Sequence, residues 1–534
     1  MLALAASVLV GSALFRSTEY DENYSTFVTS GIARPDWPHD IFIPKQVRYP
    51  FVSHTNIGTI ASLLRETDVH PPLYFWALGS WRRIAGNGVI ADRALSIAFA
   101  LGALAIWMVV AWRAGVPPLA TGTMIALAYG FAYTGHIARG FALAHLFIAL
   151  ASLAALEALR RAGSPRMDGT AQAAGAGLAS GLAGFTNYLA LFPAAGVLTT
   201  MVLMAPSRTS RIRMALAAAL PFLLLQIGSL YFFLAQRGTR AGQFEPFALG
   251  RMLRLLAQGN AANLVGGSPL YVGGAWRTAV GVLLAMLLAA AAIAVALRWR
   301  DLGWTRWLWI QGFLAPSLGL FALGAIFDNT PAEFRYVAFA VPFAAVLIAG
   351  AAACWARTAP RLAGAGFGLL LAAQAAGALG MMLHPATRQP YRDALAALAP
   401  QLGAGTVLLV PFGNDGVGIV GSVLREAPPG QPVLVLRDDD AAAAPRRAAD
   451  FDRAVLLGIA DRDGIRQVKM AAQALRADLA WEDRGAVWRD AQRGFVAEEF
   501  ERRPHRHPTG PQQAAPDAVN RTGAPEAIDW PAPR

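Results

Sequence analysis

From residue 90 to residue 383 the chain presents apolar runs almost back to back, and no other feature restricts its fold so strongly. A hydrocarbon core about 30 Å thick takes roughly 20 mostly apolar residues per helical crossing. Inside it each backbone polar group must be paired within its own segment, so the expected spanning element is the helix. Apolar runs lie near 1–15, 90–112, 117–134, 140–160, 212–234, 274–297, 303–326, 334–355 and 362–383. Residues 172–204 are long enough for two more, hinged around "FTNYLALFP". About eleven crossings are therefore expected. With 55% of 534 residues hydrophobic and 15% charged, the chain lacks the polar surface a soluble protein needs.

Lys and Arg number 46 against 34 Asp and Glu. The basic residues stand in short clusters between apolar runs, at Trp112–Arg113, Arg160–Arg161, "SRTSRIR", "RWRDLGWTR" and "WARTAPR", which reads as a positive-inside topology signal and not as a nucleic-acid face. With the N-terminus inside, the opposite loops and residues 384–534 fall on the external side. The single cysteine, Cys354, lies in an apolar run, which excludes disulfides within the chain and multi-cysteine metal sites. It is expected to serve packing. The first run begins at Met1, and its "GSA" resembles a signal-peptidase site. A retained helix is expected instead, because cleavage there would part the run from the acidic stretch "STEYDENYS" that it positions.

The sequence divides into a membrane domain, 1–388, with an external loop at 16–86; an external α/β domain, 389–500; and a disordered tail, 501–534. In the loop, 55–66 has an amphipathic pattern. "HPPLYFWALGSWRRIAG" (70–86) is apolar for only about twelve residues after its prolines, short for a crossing. It is expected to lie in the outer interface, with Trp76 and Trp81 as interfacial aromatics and Arg82 and Arg83 left outside. After 389, "TVLLVPF", "PVLVLR" and "RAVLLGIA" read as strands between helical stretches such as "GIRQVKMAAQALRADLA". The tail is rich in Pro, Arg and Gly. "PFGNDGVG" departs from the G-x-G-x-x-G order and reads as a turn after a strand.

Ionisable groups near a membrane core are costly and mark sites. In this topology they gather at the outer ends of helices: Asp21 and Glu22 after the first run, Asp68 and His70 before "PPLYF", Asp92 and Arg93 at the next crossing, then Arg139 and Arg335. His136 and His145, nine residues apart, lack the spacing of a helical metal pair and read as packed polar residues.

"EYDENYS", "TDVHPPLYF", "ADRALSIAFALGALAIW", "ARGFALAHLF" and "FRYVAFAVPFAAVLIA" together resemble the landmarks of the GT-C fold glycosyltransferases of the family 39 type, among them the protein O-mannosyltransferases and the lipid A aminoarabinose transferases. The resemblance covers roughly residues 1–390, and "YRDALAAL" resembles the start of the soluble domain common in bacterial members. It implies a GT-C-like polytopic helical fold and transfer of a sugar from a polyprenyl-phosphate donor, on the outer membrane face, to an envelope acceptor: a glycolipid, a polysaccharide or a protein hydroxyl. Where relatives commonly show an acidic residue and a tyrosine near "ARGF", this chain has Ile137 and Phe141.

The chemistry of the residues agrees with that implication. A single displacement, which inverts the anomeric carbon, needs a base for the acceptor proton and cations for the departing phosphate. Asp21 is the candidate base, its pKa open to elevation under apolar walls, and Glu22 the residue that supports it or positions the acceptor. Arg139 and Arg335 offer planar forks suited to phosphate oxygens, with Arg93 behind them. Asp68, His70 and Tyr336 complete the candidate substrate-binding set. A divalent metal is compatible with the carboxylates and His70, although no tight ligand spacing demands one. High Ala content and Arg over Lys suggest a GC-rich bacterium, and the expected location is its inner membrane. The alternative reading is a transporter of lipid-linked glycans or small molecules, for which paired broken helices and midplane charges would be expected.

Overall fold

The computed structural model describes residues 1–162, 168–237, 244–268, 274–383, 390–438, 440–459, 462–490 and 494–503. The protein is a multi-pass α-helical membrane protein with a small C-terminal α/β domain. Among the described residues seven helices are each long and apolar enough to span: Val89–Arg113, Phe141–Ala162, Arg208–Gln236, Ala275–Leu297, Arg306–Phe327, Phe334–Ala356 and Pro360–Leu383. The other four expected crossings are helical but shorter. Helix α1 (Leu2–Phe15) has 14 residues; Thr170–Gly184 and Leu191–Met204, on either side of the "FTNY" hinge, have 15 and 14. The run at 117–134 is split at Ala128, whose extended backbone separates Pro118–Leu127 from Tyr129–His136.

Two compact units emerge. The first comprises Met1–Arg16, Tyr24–Ala33 and Phe51–Thr387; the second comprises Ser17–Asn23, Arg34–Pro50 and residues from Arg388 onward. Two short pieces of the first loop thus pack with the C-terminal domain although more than 330 residues of sequence separate them from it.

In the first unit the core is built on Phe141–Ala162 and Val341–Ala356, while Arg208–Gln236 and Gly274–Leu297 expose rows of Leu, Ile and Val suited to lipid. Trp107 sits at its centre, edge-on to Phe343 at 4.8 Å between centroids. Small residues let helices approach: a Cβ on Gly177 would stand 2.0 Å from the Ala218 carbonyl oxygen of the neighbouring helix. Helix α2 (Tyr20–Ser30) turns 85° from α1. The amphipathic stretch of the loop is helical over Ile57–Thr67, with Asn56 Oδ1 accepting from the Thr59 N–H as its cap.

The Leu73–Ala85 helix has 13 residues. Trp76 Nε1 donates to the Ile57 carbonyl and Trp81 Nε1 to that of Ala91, so the two indoles tie this helix to its neighbours. Arg82 is buried. Cys354 is buried and packs as expected.

The second unit carries a five-stranded sheet in the order β2-β1-β3-β5-β4. Strands β1 (Thr406–Pro411), β2 (Val433–Leu436) and β3 (Arg453–Ile459) are parallel, and their near-continuous Val and Leu runs are buried on both faces. Val468, Ala471, Ala472 and Leu475, spaced as one stripe of the Arg462–Ala477 helix, are buried in the core that includes Leu456 of β3. Strands β4 (Trp481–Asp490) and β5 (Phe495–Arg502) add an antiparallel hairpin that the sequence reading did not anticipate. Their charged residues mask the alternation. Glu501 and Arg502, assigned above to the tail, complete β5; residues 504–534 lie outside the described residues. "PFGNDGVG" is a turn after β1, with Gly413 and Gly416 at positive φ.

Candidate active site

Helix α1 ends where Arg16 turns extended, and its last carbonyls need partners. Arg93, on the Val89–Arg113 helix, supplies them: its Nη1 donates to the Ala13 and Arg16 carbonyls at 2.6 and 3.0 Å. A cation at a helix C-terminus is also favoured by the macrodipole. Arg93 is wholly buried, and the Arg16 guanidinium lies over the Tyr133 ring, 4.7 Å from its centroid.

After the bend, α2 carries Asp21 and Glu22 in its first turn. Glu22 is buried, and its Oε2 accepts from the Glu19 backbone N–H at 2.9 Å, half of a capping box. Asp21 keeps an intermediate exposure. The two carboxylates therefore differ: one is buried and closes the helix start, and the other is partly exposed.

In the first unit, Asp68, His70 and Arg139 come together. Asp68 ends the Ile57–Thr67 helix, and Pro71 and Pro72 disfavour helical geometry at His70 and Pro71, the residues before them, ahead of the Leu73–Ala85 helix. Arg139 lies in the break between Tyr129–His136 and Phe141–Ala162. Its Nη1 donates to Asp68 Oδ2 and to Ser25 Oγ of α2, both at 3.3 Å. His70 Nδ1 stands 2.7 Å from Asp68 Oδ1 and 3.0 Å from Arg139 Nη2. One ring nitrogen cannot donate to the carboxylate and accept from the guanidinium in the same state, so these contacts compete for the Nδ1 proton. Burial opposes ionisation of Asp68, but Arg139 and His70 outweigh it and hold the carboxyl well below the usual carboxylate range. The Phe75 ring lies under the Arg139 guanidinium, 5.6 Å from centroid to Cζ. Gln236 fixes the loop from behind: its Nε2 donates to the Leu64 and His70 carbonyls, and its Oε1 accepts from Tyr188 of the hinge at 2.9 Å.

A second buried pair explains Arg82. Its Nη1 donates to the Thr26 carbonyl, Thr29 Oγ1 and Ser30 Oγ at 2.7 to 3.0 Å, its Nη2 donates to the Phe51 carbonyl, and its Nε lies 3.5 Å from Asp92 Oδ1. Thr26 Oγ1 donates to Asp92 Oδ2. The hydroxyl-rich "STFVTS" (25–30) is the signal for this network in the sequence. Ser25, Arg82 and Gln236 are among the polar residues of this region that the sequence alone left without a role, and Asp92 stood out only as an ionisable group at a helix end.

Arg335 and Tyr336 lie in the 3₁₀ turn Phe334–Ala340. Arg335 Nε is 2.9 Å from Glu333 Oε2, and its guanidinium stacks over the Tyr336 ring at 5.7 Å. His136 and His145 are packed polar residues: Nδ1 of the first lies 2.7 Å from the Ala132 carbonyl, and Nε2 of the second 3.2 Å from Thr134 Oγ1. Among the described residues no three His, Cys, Asp or Glu side chains come close enough together to hold a metal ion.

No family model and no curated protein matches the chain. Among solved structures it is similar to ArnT from Cupriavidus metallidurans in the apo state, at 16% identity over 93% of this chain and 96% of that chain, with a TM-score of 0.48. It is similar to the arabinofuranosyltransferase AftD from Mycobacteria at 14% identity over 95% of this chain and 40% of that one, with a TM-score of 0.44. Similarity to the S. cerevisiae protein O-mannosyltransferase Pmt1-Pmt2 complex bound to the sugar donor covers 46% of this chain and 34% of that one, at 15% identity and a TM-score of 0.32. At TM-scores no higher than 0.48 these are likenesses to GT-C fold glycosyltransferases.

Proposed function

We propose that the protein is a membrane glycosyltransferase that moves a sugar from a polyprenyl-phosphate donor to an envelope acceptor hydroxyl on the external face of a bacterial inner membrane. The observation that carries this reading is the buried cluster of Asp68, His70 and Arg139, joined through Ser25 to the helix that begins with Asp21 and Glu22. Buried ionisable groups at this density are expensive to keep and mark function in a membrane protein.

In this mechanism Asp21 accepts the proton of the acceptor hydroxyl as its oxygen attacks the anomeric carbon. The bond from that carbon to the phosphate oxygen breaks in the same displacement, and the configuration inverts. The lipid phosphate leaves as an anion. Arg335, stacked on Tyr336, and Arg139 stabilise the phosphate charge, because a guanidinium fork matches two phosphate oxygens. Asp68 holds Arg139 in place, and His70, whose contacts to the pair run through Nδ1, presents its Nε2 edge to the donor. Glu22 keeps the first turn of α2 closed so that Asp21 is held in register. Arg93 acts through α1, whose last carbonyls it binds.

The test is transfer of labelled sugar by the purified protein in lipid, from a panel of polyprenyl-phosphate sugars to total envelope acceptors. Label in an envelope acceptor supports the reading and identifies the sugar. Movement of intact lipid-linked sugar across sealed vesicles, with no label in any acceptor, overturns it.

A further inference from the structure

Within the second unit, the start of α2 is gripped by the C-terminal α/β domain. Asn23 is wholly buried; its Nδ2 donates to Ser422 Oγ at 2.8 Å and to the Gly418 carbonyl at 3.3 Å, and its Oδ1 accepts from Arg425 Nε at 2.9 Å. Thr18 Oγ1 donates to Glu426, which also binds Arg392, and the Arg392 N–H donates to Ser17 Oγ. Residues 418, 422, 425 and 426 lie on one face of the Gly418–Glu426 helix, at spacings of four, three and one. On that face the Tyr20 ring packs directly on Gly418, where a Cβ would stand 2.0 Å from its ring carbons.

The chain is gripped again beyond α2. Phe42 pairs antiparallel with Val433 on the free edge of β2, the Phe42 N–H donating to the Val433 carbonyl at 3.0 Å and the Val433 N–H to the Phe42 carbonyl at 2.8 Å. Trp37 Nε1 donates to the Gly416 carbonyl, and Arg437 Nη2 to that of Trp37. An eleven-residue helix is marginal alone. Both flanks of α2 are thus held by one small domain, and the buried contacts cluster within two residues of Asp21.

We propose that the α/β domain is a positioning device for the candidate base: Gly418, Ser422 and Arg425, acting on Tyr20 and Asn23, fix the orientation of the first turn of α2 and with it the carboxylate of Asp21. The proposal rests on the reading of Asp21 as the base. None of the three touches a substrate; they act through α2.

Gly418→Ala and Ser422→Ala test it in the full-length protein in lipid, with rates normalised to donor-binding stoichiometry. Gly418→Ala adds a methyl that the helix itself favours, so its effect falls on Tyr20; Ser422→Ala removes one hydroxyl and adds no bulk. The expected result is a fall in kcat of roughly 10- to 100-fold, with the donor Kd unchanged and amide exchange accelerated in the peptide covering 17–30. A purely structural loss would lower the number of binding-competent molecules and leave kcat per site intact. Unchanged kcat per site in both variants overturns the proposal, as does unchanged exchange at 17–30. If wild type transfers no sugar at all, the transferase reading fails separately. The exchange comparison then still decides whether the domain holds the start of α2.

Discussion

Arg139 and Asp68 form an ion pair, Nη1 to Oδ2 at 3.3 Å, in which each side chain keeps only 3% of its surface accessible. Removing one member leaves the other charge buried without its partner, which costs more than the pair itself contributes. Asp68→Asn is expected to destabilise the protein by about 3–5 kcal/mol, read as a lower unfolding temperature in lipid. Arg139→Lys keeps the charge but loses the fork. It is expected to retain more stability than Asp68→Asn and to weaken donor binding.

The same pair sets a pH dependence. Burial works against the Asp68 carboxylate, Arg139 and His70 prevail, and the folded pKa lies well below the unfolded value of about 4. Its stabilisation is therefore fully present above pH about 4 and is lost as pH falls from there toward the folded value. Wild type is expected to lose stability over that acidic range, and Asp68→Asn to show a flatter profile. Thermal unfolding across pH 3 to 7, roughly one unit below to three above the unfolded value, checks this.

Arg82 binds three groups of α2 and lies beside Asp92. Arg82→Ala is expected to cost about 3–5 kcal/mol, because Asp92 is left buried. Replacing both with apolar residues, Arg82→Met with Asp92→Leu, is expected to recover part of that loss. A double-mutant cycle on unfolding temperature measures the recovery.

Gly177→Ala drives a methyl against the Ala218 carbonyl, whereas a methyl on Gly175, two residues away on the same helix, meets only Ala154 at 3.9 Å. Both changes gain helix propensity. Gly177→Ala is expected to destabilise by about 1–3 kcal/mol through overpacking, and Gly175→Ala to be neutral or stabilising. Paired unfolding curves separate the two.

Much of the membrane fold was legible because apolar run length reports directly on crossing length. The seven long helices, the hinge at "FTNY", the helix at 57–67 and the strands β1 to β3 all follow local patterns. Other features have no local signature. Ala128 breaks an apolar run with no Pro at the break. Strand β4 reads "WEDRGAVWRD", where charges and a bulge obscure period-two alternation. The burial of Arg82 depends on hydroxyls more than fifty residues earlier, and the grip on Asn23 on a helix some 400 residues later. In the candidate site the residue types were legible as ionisable groups at helix ends. Their division of labour, with Glu22 capping α2 and Arg93 capping α1, required the geometry.

The most direct test of the central claim compares Asp21→Asn with wild type in single-turnover transfer from a polyprenyl-phosphate sugar, with donor binding measured on the same preparations. A general base contributes about 10²–10⁴-fold. The account predicts a loss of that order in the transfer rate with donor affinity retained. Transfer at equal rates in both proteins would contradict it.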